Sequence, residues 1–128
     1  MKWLKGVKVL VVDDDPDLCQ AIYEAFQLAG ADAVSARSGN EAISLIAKNS
    51  FDFVLSDMRM PNGDGAFVAK EVSKISGPKP LVFLYTGFND ISDSELTELG
   101  IAQVFTKPLS VSEMTNSILM KLQSRLAG

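Results

Sequence analysis

The stretch Phe51-Asp52-Phe53-Val54-Leu55-Ser56-Asp57-Met58-Arg59-Met60-Pro61-Asn62-Gly63-Asp64-Gly65 passes from strongly apolar to turn-forming within a few residues, and Asp57 stands at the break. Phe53, Val54 and Leu55 form a continuous apolar run, the pattern of a strand buried on both faces. Pro61, Gly63 and Gly65 then oppose any regular element. Asp57 is thereby placed at the C-terminal mouth of a central strand. In open parallel α/β sheets, that edge is where ligands bind and chemistry happens.

The rest of the chain repeats the same alternation. Val7–Val12 reads as a buried strand ending in Asp13, Asp14 and Asp15, and Pro16 suits the first turn of a helix. Leu18, Ile22, Ala25, Phe26 and Ala29 recur at helical spacing before Gly30. Asp32–Ala36 is a short second strand. Ser38-Gly39-Asn40-Glu41 has the form of a capping box and opens a helix carrying Ala42, Ile43, Leu45 and Ile46. Phe51–Ser56 is the third strand. A third helix presents Val68, Val72 and Ile75 and stops before Gly77-Pro78. Leu81–Tyr85 is a fourth strand delivering Thr86 and Gly87, and Phe88–Asp93 is a polar loop. A short helix with Leu96 and Leu99 ends at Gly100. Ala102–Thr106 is the fifth strand, followed by Lys107-Pro108. Ser110-Val111-Ser112-Glu113 is a second capping box, opening a helix whose apolar side carries Ile118, Leu122 and Leu126. Five strand–helix units with short connections predict a parallel sheet covered on both faces, with right-handed crossovers.

Composition narrows the possible functions. The 128 residues suffice for one domain with a core, residues 1–128 with the core at about 7–126, and no output domain is expected beyond it. A net charge of −4 opposes nonspecific nucleic-acid binding, so no direct nucleic-acid partner is expected. No apolar run approaches the ~18 residues of a membrane span, so no membrane contact is expected. The first residues are too short in apolar content for a signal peptide. The single cysteine, Cys19, permits no internal disulfide and fits a reducing, cytoplasmic setting; its place in the first helix suits a packing or surface residue rather than a redox site. There is no histidine, which excludes a histidine triad, a histidine metal site and a phosphohistidine carrier.

Polar residues collect at the strand ends: Asp13 and Asp14 after the first strand, Asp57 after the third, Thr86 after the fourth and Lys107 after the fifth. In a parallel sheet these ends share one edge. Clustered carboxylates repel and raise their own pKa values. A hard divalent cation such as Mg²⁺, which takes one or two carboxylates and keeps waters and phosphate oxygens, relieves that repulsion. Lys107 adds a second positive charge. Together they leave Asp57 ionised and able to attack phosphorus, and they stabilise a transferring phosphoryl group. Thr86 can donate a hydrogen bond to the product. The bland alternatives are helix-terminal acids favoured by the macrodipole, which suits Asp15 best, and a solvated turn charge at Lys107.

With these residues in place, the chain resembles the receiver domain of two-component response regulators (CheY-like) from Val7 to about Leu126. The resemblance rests on Val11-Val12-Asp13-Asp14-Asp15, on Asp57-Met58-Arg59-Met60-Pro61 with Gly65, on Thr86-Gly87 and on Lys107-Pro108. It implies an α/β, flavodoxin-like (βα)5 doubly wound parallel five-stranded sheet of order 2-1-3-4-5. It implies that Asp57 accepts a phosphoryl group from the phosphohistidine of a histidine kinase or phosphotransfer protein. It further implies that Mg²⁺ is held by Asp14 and Asp57 directly, by Asp13 mostly through water, and by the backbone carbonyl of Arg59. Lys107 would pair with the phosphoryl oxygens and Thr86 would turn toward them. The Lys107–Pro108 bond is often cis in the family. The face of the fourth helix, fifth strand and fifth helix would meet a downstream protein, with the chain a monomer or weak dimer. The implied role is that of a signalling phosphoacceptor with self-catalysed phosphotransfer and slow self-dephosphorylation, not an enzyme.

One position departs from the family. Tyr or Phe usually stands three residues before the strand-five Lys, as a rotameric switch; here that residue is Val104, beside Phe105. Val104 has no ring to swing, so the expectation is that the loop Phe88–Ile91 carries more of the signal. Two rival classes stay open. A receiver-like adaptor would act without phosphorylation and would not need the full set of acids, Thr and Lys. A small phosphohydrolase with an aspartyl-phosphate intermediate would use Asp13 and Asp15, but leaves the Asp57 loop unexplained.

Overall fold

A computed structural model describes residues 4–87, 92–108 and 110–127. The elements alternate strictly: β1 Lys8–Val12, α1 Pro16–Leu28, β2 Asp32–Ala36, α2 Gly39–Lys48, β3 Phe53–Asp57, α3 Gly65–Ser73, β4 Leu81–Thr86, α4 Asp93–Leu99, β5 Ile101–Thr106 and α5 Val111–Ala127. All strand pairs are parallel and the sheet order is β2-β1-β3-β4-β5, the order that the receiver resemblance implies. Boundaries differ from the expected ones by one or two residues. β3 begins at Phe53 rather than Phe51 and runs through Asp57 itself, so the acid is the last residue of the strand. Gly65, read as a loop residue, is the first residue of α3, and Ile75 lies just past the end of that helix. The Phe88–Ile91 loop is outside the described residues.

Strand alternation sends side chains into two cores. One lies under α1 and α5 and contains Val9, Val11, Phe53, Leu55, Phe83 and Tyr85 with Ile22, Phe26 and Ile118. The other lies under α2, α3 and α4 and contains Leu10, Val12, Val54, Val82 and Leu84 with Ala42, Val68 and Val72. Aromatic rings link the first core across the sheet. Phe26 meets Phe53 edge-on at 5.6 Å, Phe53 meets Phe83 edge-on at 5.8 Å, and Phe83 stacks on Phe105 at 6.0 Å. Phe105 therefore faces the α1–α5 layer, whereas Val104 packs half-buried on the opposite layer. Cys19 is buried in the first core with its Sγ 3.9 Å from the Ala36 carbonyl oxygen, and burial pushes its thiol pKa up, as suits a packing residue.

The helix starts are built from the residues that the sequence offered. Ser38 Oγ accepts from the Glu41 N–H, but Glu41 Oε1 accepts from the Arg37 N–H, one residue before the cap, so the reciprocal half of the box is displaced. Ser110 Oγ accepts from the Glu113 N–H at 3.3 Å. A complete capping box, unread in the sequence, opens α4 with Ser92 and Glu95. Asp15 caps α1: its Oδ1 accepts from the N–H groups of Asp17 and Leu18 at 3.0 and 3.3 Å. Asp15→Ala should lose about 1 kcal/mol of stability, the usual worth of an N-cap, as a lowered urea midpoint with unchanged slope. A changed magnesium affinity in that variant would instead make Asp15 part of the cation site.

Candidate functional site

The site is set by strand register. Val12 pairs with Ser56, so Asp13, the next residue, comes level with Asp57. Asp57 pairs with Tyr85, and Thr86 pairs with Thr106, which Lys107 follows. Four strand ends thus bring Asp13, Asp14, Asp57, Thr86 and Lys107 to one edge of the sheet. Asp13, Asp57 and Thr86 are 0%, 8% and 3% exposed, while Asp14 is exposed. Carboxylate oxygens of Asp13, Asp14 and Asp57 lie within 4.8 Å of one another. Lys107 Nζ stands 3.6 Å from Asp57 Oδ2, an ion pair too long for a direct hydrogen bond. The Arg59 N–H approaches Asp57 Oδ1 at 3.4 Å from the loop that follows β3. The Lys107–Pro108 peptide is cis.

Two glycines let the backbone close around this edge. The α2 N-terminus donates from the Gly39 and Asn40 N–H groups to the Gly63 and Asn62 carbonyls, at 2.8 and 3.0 Å. A Cβ on Gly39 would meet the Gly63 carbonyl oxygen at 2.5 Å. A Cβ on Gly65 would meet the Asp57 carbonyl oxygen at 2.8 Å, which is why the strand-to-helix loop can fold back over the acid.

Burial, foremost, and the neighbouring Asp13 push the Asp57 pKa up; Lys107 and the Arg59 N–H oppose this, and Asp14 adds to the rise. Three carboxyl groups thus face one ammonium across a few ångströms. This all-oxygen donor set fits a hard divalent cation. Asp15, which a hydrolase would use with Asp13, is occupied as the α1 cap.

One residue of the site went unread in the sequence. Tyr85 is fully buried, and its hydroxyl donates to Asp13 Oδ2 at 2.5 Å. Its ring lies 5.5 Å beneath Lys107 Nζ. Burial first, then the hydrogen bond and charge of Asp13, hold the phenol protonated far above its ordinary range. The available signal was a tyrosine ending an otherwise apolar strand, since a buried phenol needs a partner for its hydroxyl.

The family model of the response regulator receiver domain matches residues 9–119. The chain belongs to the response regulator receiver domain family. Among curated proteins it is 30% identical over 115 residues to the transcriptional regulatory protein GlrR of Escherichia coli K12, covering 89% of this chain and 26% of that protein. It is 34% identical over 109 residues to the probable transcriptional regulator ycf27 of Porphyridium aerugineum, covering 84% of this chain and 44% of that protein. The chain therefore spans less than half the length of these relatives. Among solved structures, the receiver domain of Francisella response regulator 1452 is 31% identical with a TM-score of 0.82, covering 94% of this chain and 99% of that one. The response regulator TrrA of Thermotoga maritima, solved with Mg²⁺–BeF, is 27% identical with a TM-score of 0.78, covering 91% and 98% of the two chains. A CheY-like receiver from Methanospirillum hungatei, 20% identical with a TM-score of 0.87 over 94% and 97% of the two chains, shows the same fold. Among the described residues of this receiver domain, no helix is long and apolar enough to cross a membrane.

Proposed function

We propose that this receiver domain is a phosphoacceptor of a cytoplasmic two-component relay, with Asp57 as the phosphorylated residue. The observation that carries the reading is the meeting of Asp57 with Lys107 on one side and with Asp13 and Asp14 on the other, from three separated strands. A carboxylate oxygen of Asp57 attacks the phosphorus of a phosphohistidine on a kinase or phosphotransfer protein. The P–N bond breaks, the imidazole leaves with the electron pair and takes a proton, and an acyl phosphate forms. A magnesium ion held by Asp14, Asp57 and the Arg59 carbonyl, with Asp13 acting through water, would supply Lewis-acid charge on the phosphoryl oxygens. Lys107 neutralises a further oxygen, and Thr86, buried at the end of β4, donates to the product. The receiver supplies these groups itself, so it is a self-catalysing signalling protein rather than a turnover enzyme.

The acyl phosphate shifts a conformational equilibrium that a protein partner reads on the α4–β5–α5 face. Val104, half-buried on that side, lacks the ring that couples the site to this face in other receivers. The test is intact-mass analysis after incubation with acetyl phosphate, with and without Mg²⁺. A Mg²⁺-dependent gain of one phosphoryl group is expected; a folded protein that gains none would support an adaptor working unphosphorylated.

A further inference from the structure

We propose that Tyr85 is a positioning residue of the cation site: its hydroxyl tethers Asp13 and tempers the negative charge that Asp13 offers to a divalent cation. The inference deepens the proposed function and rests on its assignment of the acid cluster as a cation site. Asp13 is entirely buried, and both of its oxygens are claimed from within the chain. Oδ1 accepts from the Asp15 N–H at 2.9 Å and Oδ2 accepts from Tyr85 at 2.5 Å. A donor this close to a carboxylate draws charge toward itself and fixes the plane of the group. The Tyr85 side chain cannot drift from that duty. It is wedged in the core beneath the sheet edge, and its backbone is pinned by β4 pairing with β3 and β5. The same ring underlies Lys107, so one side chain touches both Asp13, an acid of the cluster, and the ammonium that pairs with Asp57.

The consequence is a linkage. Whatever lowers the charge density of Asp13 opposes a cation beside it, and a bound cation in turn weakens the Tyr85 bond. Removing the hydroxyl returns the full charge of Asp13 to the cluster. Tyr85→Phe, which keeps the ring under Lys107, should therefore bind Mg²⁺ about five- to tenfold more tightly, at the lower end of ordinary coupling between two sites.

The experiment is a double-mutant cycle in Mg²⁺ affinity by calorimetry, using Tyr85→Phe, Asp13→Asn and the pair. Tighter binding when Tyr85→Phe is made in the wild-type chain, and no change when it is added to the Asp13→Asn variant, is the expected result. Unchanged or weaker binding, or an equal gain in both backgrounds, overturns the proposal. A merely structural role for Tyr85 lowers the melting temperature without this pattern. Should Tyr85→Phe not fold, the wild-type protein carries the test. Its buried hydroxyl proton should give a slowly exchanging, downfield NMR resonance that moves upfield on adding Mg²⁺, and a resonance that stays still contradicts the linkage. Neither readout uses phosphorylation. A chain that shows the coupling yet takes up no phosphoryl group would retain Tyr85's role and lose the phosphoacceptor reading.

Discussion

Asp57→Asn should take up no phosphoryl group from acetyl phosphate, and in magnesium-free buffer near neutral pH it should melt at a higher temperature than the wild type. The first effect follows from loss of the attacking carboxylate, since the amide is not a nucleophile toward phosphorus. The second follows from the direction of the Asp57 pKa, raised from 3.8 by burial and by the nearby Asp13. A carboxyl group whose folded pKa lies above its unfolded value binds its proton more tightly in the folded state. It therefore costs folding stability above the folded pKa, and that cost fades as pH falls through the folded value toward the unfolded one. Asparagine carries no such cost at any pH. The gain in melting temperature should be largest above the folded pKa, about 3–5 °C for each kcal/mol relieved in a chain of this size, and should vanish below about pH 4. Magnesium should narrow the gap from the other side, because a cation bound only to the folded state stabilises it, by about 2.7 kcal/mol at a hundredfold excess over Kd. Calorimetric melting of both proteins across pH, with and without Mg²⁺, checks all three statements. A variant less stable than wild type at neutral pH would mean that Asp57 is held by compensating donors the geometry does not show.

Phe53→Ala should be a severely destabilising truncation. Phe53 is fully buried on the central strand and meets Phe26 on one side and Phe83 on the other. Removing the ring deletes both edge-to-face contacts and leaves a cavity that the flanking rigid sheet cannot close, at a cost of about 3–5 kcal/mol. That is a large share of the roughly 5–15 kcal/mol by which domains of this kind are stable. Urea unfolding should show a midpoint lowered accordingly with little change in slope. Leu28→Ala, at a side chain that is 78% exposed, supplies the contrast and should stay within about 0.5 kcal/mol of wild type. Equal losses in the two variants would contradict the burial that organises the core around β3.

Much of this was legible in the chain because period and punctuation agree. Val9–Val12, Phe53–Leu55 and Val82–Leu84 are apolar at every position, as a strand covered on both faces is, and each such run reaches a polar residue within two positions at the same end. Once the strands are parallel, Asp13, Asp57, Thr86 and Lys107 must share an edge; the sheet order adds only which of them are neighbours. Less legible were features decided by tertiary closure. The displaced bond from the Arg37 N–H to Glu41 depends on how the chain enters α2, and S-x-x-E alone does not encode that approach. Gly39 looked like an ordinary residue of a capping box, yet the Gly63 carbonyl behind it leaves no room for a Cβ. Tyr85 was hidden for a related reason. An apolar run reports burial, but which face a ring takes and what its hydroxyl reaches, 72 positions away, follows from register between strands. Phe105 and Val104 show the same point: alternation sends them to opposite layers, so the aromatic neighbour cannot stand in for the missing switch residue.

The central claim, that Asp57 itself becomes the acyl phosphate, is tested most directly by reductive trapping. After incubation with acetyl phosphate and Mg²⁺, borohydride reduces an aspartyl phosphate to homoserine and leaves free carboxylates untouched, so peptide mass mapping reads the modified position. Homoserine at position 57, and at none of the other acids of the site, is the predicted result. Homoserine at position 13 or 14, with Asp57 intact, would contradict the account and move the nucleophile to the first strand.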